Sequence, residues 1–306
     1  MTLVVLPAAL TLEWRPTILW PMGIELSTRR LDEMTSREVQ RYVQAGSDLV
    51  LVPFGPLSGH GALIPLGIHA HWAHALSLLV AERADGLVYP PVFACYAGAT
   101  RSFRGTGPFS IMDQATILKK IAIGLSRQGF RRVVLVAATT PECIGGTVAA
   151  REAFDETEVP VWLLIADKLL YEPEVKAMYA GYPGQFGETL IELASLEVLG
   201  RVPLVRYPEW ARVPKPPVAD QPREITDDVM ALRRWGTVGF RYHEEGEHGN
   251  HGNAGIVHEG ELDVDLAGRV LERCADLVVP ALASFARYAD WLARTPFAFI
   301  VPADLP

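Results

Sequence analysis

Residues 48–54 read Asp-Leu-Val-Leu-Val-Pro-Phe, an apolar run of strand length without polar alternation. Such a run suits a strand buried on both faces, as in a parallel sheet covered by helices. Just upstream, Thr35-Ser36-Arg37-Glu38 has the spacing of a capping box and predicts a helix that stops at Gly46. The same succession returns further on. From Asp113, the positions Ile117, Leu118, Ile121, Ala122 and Leu125 recur at helical spacing as far as Gly129, and residues 132–138 form a second apolar strand. Residues 159–165 predict a third strand, and a helix is expected from about residue 187 to residue 200. A last helix is expected over residues 263–292, bent or broken at Pro280. Strands and helices that alternate in this way predict one α/β domain in three layers, a mostly parallel sheet flanked by helices. The Pro-rich stretch 203–222 reads as a surface excursion from it.

Composition narrows the partners. The chain has 306 residues, 49% hydrophobic and 21% charged, enough to bury a sizeable core. A formal net charge of −8, with no dense Lys/Arg cluster, argues against a nucleic-acid partner. The longest apolar runs, residues 75–81 and 133–138, fall far short of the roughly 20 residues that span a bilayer, so no membrane partner is expected. The first 16 residues lack a basic start and a small-residue cleavage pattern, so no signal peptide is expected. Cys95, Cys143 and Cys274 are odd in number and widely spaced, which fits a reducing cytoplasm better than a disulfide framework.

Two polar loops follow the predicted strands, where open α/β sheets place their sites. The first, residues 55–69, carries Ser58, His60 and His69, with His71 and His74 just beyond. The second, residues 139–146, carries Thr139, Glu142 and Cys143. Glu142 suits a general acid/base if apolar neighbours raise its pKa, or simply a carboxylate at a helix start. Cys143 reads as a nucleophile or as an inert buried thiol. Trp72, Tyr96, Phe103 and Trp162 read as pocket walls or as core. A third segment packs His243, His248 and His251 with Glu244, Glu245 and Glu247 among glycines, which reads as a solvated or substrate-covering loop, or as a contribution to the site from His248 or His251. No phosphate-binding, dinucleotide or nucleophile-elbow motif occurs.

The run Gly55-Pro56-Leu57-Ser58-Gly59-His60-Gly61-Ala62-Leu63-Ile64-Pro65-Leu66-Gly67-Ile68-His69 resembles the metal-binding loop of the creatininase amidohydrolases, whose Glu, first His and final Asp bind paired divalent metals. Those positions hold Ser58, His60 and His69 here. Phe103-Arg104-Gly105-Thr106 is similar to a turn of the family, and a further ligand His of the family corresponds to Thr139. Gly187-Glu188-Thr189 resembles a Glu-Thr-Ser segment, and Gly252-Asn253-Ala254-Gly255 resembles the turn before the last helix.

The resemblance implies a creatininase-like domain over residues 31–306 behind an N-terminal extension, residues 1–30. It implies a homo-oligomer, a hexamer, and a small-molecule substrate. With Ser58, His69 and Thr139 at ligand positions the dinuclear centre is not expected. His60, His69 and Glu188 make instead a two-histidine, one-carboxylate set for a single Zn, Mn or Fe ion. The expected activity is hydrolysis of a small cyclic or linear amide, or a lactone, with His60, Glu142 and Glu188 catalytic and Ser58, Trp72, Tyr96, Thr139, Cys143 and His248 against the substrate. The alternatives are a metal-free or mononuclear lyase, cyclase or dehydratase of small-molecule metabolism, and a non-catalytic binding or assembly subunit.

Overall fold

Among the described residues four strands, β1 (Leu49–Phe54), β2 (Leu87–Val88), β3 (Arg132–Ala137) and β4 (Val161–Ile165), make one parallel sheet in the order β2-β1-β3-β4. The computed structural model describes residues 26–59, 64–180, 186–202, 231–232, 263–295 and 297–298. In the central pair, Leu49 lies opposite Arg132 and Phe54 opposite Ala137, so both strands end level.

The pleat sends alternate side chains of each strand into separate cores. Leu49, Leu51, Val134 and Val136 point to one face. There they meet α2 (Ile68–Ala84), α5 (Pro173–Met178), α6 (Phe186–Val198) and α7 (Val264–Arg294). Val50, Val52, Phe54, Val133, Leu135 and Ala137 point to the other face. They meet α1 (Ser36–Gln44), α3 (Ile111–Arg127) and α4 (Cys143–Thr157). A continuous apolar strand is therefore two half-strands serving two cores, and the expected three-layer parallel architecture is what forms.

The capping box at Thr35 is made: the Glu38 amide donates to the Thr35 hydroxyl at 3.4 Å and the Thr35 amide to the Glu38 carboxylate at 2.7 Å. A second box, Ser110 with Asp113, starts α3 two residues before the expected position.

Three expectations change. Residues 139–146 are not one loop, because a 3-10 turn, Thr140–Glu142, runs straight into α4. Gly145 and Gly146 read as loop residues in sequence, but they serve close packing inside that helix. A Cβ on Gly145 would lie 2.8 Å from the Gln114 carboxamide, and one on Gly146 would lie 2.9 Å from Leu163. Second, α7 is not broken at Pro280, since the helix runs through it. Leu271, Cys274, Ala275, Val278 and Leu282 are buried along its inner face, and that packing offsets the hydrogen bond a proline cannot donate. Third, the first polar loop stops short of His69, since α2 starts at Ile68, and His71 and His74 beyond it are buried because that helix is covered nearly all round. The Pro-rich stretch and residues 243–253 lie outside the described residues. No helix among the described residues is long and apolar enough to cross a membrane.

Candidate functional site

The chain leaves β1 for α2 on one face of the sheet and leaves β3 for α4 on the other, so a crevice opens between the carboxyl ends of two adjacent strands. Open α/β sheets bind ligands at this switch of direction. Gly55 brings α2 against the strand end. A Cβ there would lie 2.6 Å from the Ala70 nitrogen and 2.8 Å from the His69 Cβ. His69, second residue of α2, and Glu142, last residue of the 3-10 turn, therefore approach from opposite layers.

They meet. The His69 Nδ1 is hydrogen-bonded to the Glu142 Oε1, and the Glu142 side chain is 1% exposed. Glu142 Oε2 accepts from the backbone amides of Ala138 at 3.1 Å and Thr139 at 3.2 Å, and Oε1 accepts from the Thr139 hydroxyl at 3.2 Å. An ionised carboxylate only accepts, so these four donors define its role: His69 carries its proton on Nδ1 and turns the Nε2 lone pair away from Glu142.

A second layer holds Glu142 in turn. Gln114, wholly buried in α3, donates from Nε2 to the Glu142 carbonyl at 2.7 Å and accepts from the Tyr96 amide at 2.9 Å. The sequence reading passed over Gln114, although a signal was present. It shares the buried stripe of Leu118 and Ala122 at helical spacing, and a polar residue on such a stripe needs a partner.

The other candidates are placed as follows. Thr139 is buried against Glu142. The Ser58 hydroxyl is buried without a hydrogen-bond partner among the described residues, in a loop pinned by its amide to the Leu66 carbonyl at 2.9 Å. Tyr96 is half-buried, bound through its backbone to Gln114. Trp72 belongs to the core, fully buried among α2, the sheet and α7. Cys143 opens α4, where burial pushes its thiol up, opposite to the shift that activates a nucleophile. His60 and His248 lie outside the described residues, and Glu188 falls in α6 at a position whose side chain is not described. Among the described residues no group of three His, Cys, Asp or Glu side chains could hold a metal ion.

Comparison with known proteins agrees with this architecture. Residues 32–175 match the family model for creatininase, creatinine amidohydrolase. A crystal structure of creatinine amidohydrolase superposes with a TM-score of 0.63 at 20% identity, covering 85% of this chain and 98% of that one. A manganese creatininase gives 0.62 at 19% identity over 84% and 98%. A substituted creatininase of Zn-Zn type gives 0.62 at 19% over 85% and 98%. A search of curated proteins finds no match. The structural likenesses show that this chain has the fold of the creatininases, and residues 32–175 carry the match to that family's model.

Proposed function

We propose that the chain is a hydrolase that opens a C–N bond of a small cyclic or linear amide, or the ester bond of a related lactone. The observation that carries this reading is the buried His69–Glu142 pair at the switch of the sheet. A carboxylate behind an imidazole fixes its tautomer and orientation, both in acyl-transfer sites and behind metal-ligand histidines. Glu142, its oxygens already occupied by four donors, is a positioning residue here, and His69 Nε2 is the working atom.

The matched creatininases include manganese and Zn-Zn forms. The donor types read from the sequence would suit one ion. His69, backed by Glu142, supplies one oriented nitrogen, and His60 with Glu188 would complete a two-histidine, one-carboxylate set. A zinc, manganese or ferrous ion in that set would polarise the scissile carbonyl. Glu188 would then exchange protons with the leaving nitrogen. In a second reading, favoured by the same pair, His69 Nε2 takes the proton of the attacking water itself and returns it to the leaving group. Ser58, Tyr96 and Thr139 line the approach. We extend the proposal to a homo-oligomer, a hexamer, of reducing cytoplasm. The unpaired thiols of Cys95, Cys143 and Cys274 support that compartment.

The test is elemental analysis of the purified protein with a hydrolysis screen over cyclic ureides, lactams, linear amides and lactones. Wild type is compared with the His60→Ala/His69→Ala pair and with His69→Ala. About one metal per chain that is lost in the double variant, with hydrolysis lost in both, supports the mononuclear reading. Hydrolysis without metal that still needs His69 supports the second. No hydrolysis by folded wild type, or full activity in His69→Ala, overturns the proposal.

A further inference from the structure

Gln114 closes a circuit of contacts around the crevice. At the end of β1 the Gly55 amide donates to the Val92 carbonyl at 3.1 Å, which holds that segment against the strand end. Four residues on, the Tyr96 amide donates to Gln114 Oε1 at 2.9 Å. Gln114 Nε2 donates in turn to the Glu142 carbonyl at 2.7 Å, and the Glu142 carboxylate takes the His69 Nδ1–H. His69 leads back to the start, because a Cβ on Gly55 would lie 2.8 Å from the His69 Cβ. Among the described residues no other hydrogen bond joins residues 92–97 to residues 139–146.

A carboxamide suits this link, since it carries an acceptor and a donor on one planar group. Gln114 is wholly buried, and its two hydrogen bonds offset the cost of taking that group out of water. Its freedom to move is small. Gly145 packs against it, and a Cβ there would lie 2.8 Å from Gln114 Cδ and 2.9 Å from Nε2. The bond to Glu142 goes to the backbone and not to the carboxylate. The two sets of contacts therefore divide the work: four donors orient the Glu142 side chain, and Gln114 fixes where the 3-10 turn beneath it stands.

We propose that Gln114 is a positioning residue for the hydrolysis: by clamping the 3-10 turn to the Tyr96 segment, it places Glu142 and, through it, aims His69 Nε2. Its effect on turnover rests on the hydrolase reading, whereas its effect on the pair is read in the resting protein. Small displacements of a working atom cost rate far more than they cost binding.

The experiment compares wild type with two variants. Gln114→Met keeps the length of the side chain and loses both hydrogen bonds. Gly145→Ala keeps Gln114 and displaces its carboxamide, in a helix interior that alanine suits better than glycine. Leu118→Ala, one turn along the same buried stripe of α3, is the control for lost stability alone. The low-field resonance of His69 Nδ1–H and the backbone amides of Tyr96 and Val92 are followed by NMR. kcat and KM are measured on the cyclic ureide, lactam, linear amide or lactone that wild type hydrolyses fastest. Both variants should shift the His69 and Tyr96 resonances, leave Val92 in place, and lower kcat by about ten- to a hundredfold with KM little changed. Leu118→Ala should lower Tm without those shifts. A wild-type His69 resonance in folded Gln114→Met and Gly145→Ala, an equal shift in Leu118→Ala, or an unchanged kcat overturns the proposal. If wild type hydrolyses none of these compounds, the hydrolase reading falls, and the resonances alone decide whether Gln114 places the pair.

Discussion

Glu142 is held more tightly than its own chemistry needs. Four donors converge on one buried carboxylate, two of them backbone amides at the end of β3. Glu142→Ala strands those amides and leaves the His69 Nδ1–H facing a cavity, so it should cost about 3 kcal/mol, the upper end of the range for leaving buried donors without an acceptor. Thr139→Val removes only the hydroxyl contact and should cost nearer 1 kcal/mol. Urea unfolding of the two variants checks the order. A Thr139→Val loss equal to that of Glu142→Ala would mean that the hydroxyl, and not the carboxylate, organises the pair. Sequence alone pointed to Glu142 and His69 separately. It could not join them, because their contact crosses from one helical layer to the other and depends on the strand order. The acid/base role read for Glu142 turned on apolar neighbours around its carboxylate, whereas the function proposed here uses the buried carboxylate to position His69.

At the scale of elements, what was legible followed from local chemistry, and what was not followed from packing. The apolar strands and the capped helix α1 announce themselves, because patterning and caps are written within ten residues of chain. α2 does not. Ile68 to Ala84 is apolar on nearly every side, so no polar face marks its period, and its first turn resembles a loop. Gly55 shows what fixes its start. A methyl group there would press on the Ala70 nitrogen at 2.6 Å, so Gly55→Ala must push α2 off the end of β1. The expected loss is about 1–3 kcal/mol, as for other overpacked sites. Because His69 rides on that turn, the variant should also disturb the His69–Glu142 proton resonance. A wild-type resonance in a destabilised Gly55→Ala would separate packing from site geometry. Pro280 gives the converse case. Its cost in α7 is outweighed by the buried face, so Pro280→Ala should raise stability by about 1–3 kcal/mol, read as an increase in Tm, provided the helix needs no bend there.

For the whole molecule, the buried histidines of α2 tie stability to pH. His74 is packed between α2, the β2 edge and the end of α6, and its charge neighbours are Arg30, His71, Arg201 and Glu33. Burial first, then the two guanidiniums and His71, push it down from 6.5 to about 4, with Glu33 opposing. Between those values the unfolded chain binds a proton that the folded chain refuses. Stability from this group is therefore complete above pH 6.5 and declines as pH falls toward 4. Carboxylates do not blur the upper part of that window. Glu38 and Asp113, capped by backbone amides, lie below their ordinary 4.5 and 3.8, so their contributions fade only at lower pH. The prediction is a Tm that holds from pH 8 to about 6.5 and falls between 6.5 and 4.5, with a shallower fall in His74→Asn, which keeps a polar group of similar size but cannot take a proton. An unchanged slope in His74→Asn would mean that His74 does not couple folding to protons. The acid sensitivity would then have to come from another buried group of the same helix, and a His71→Asn series would be the way to find it.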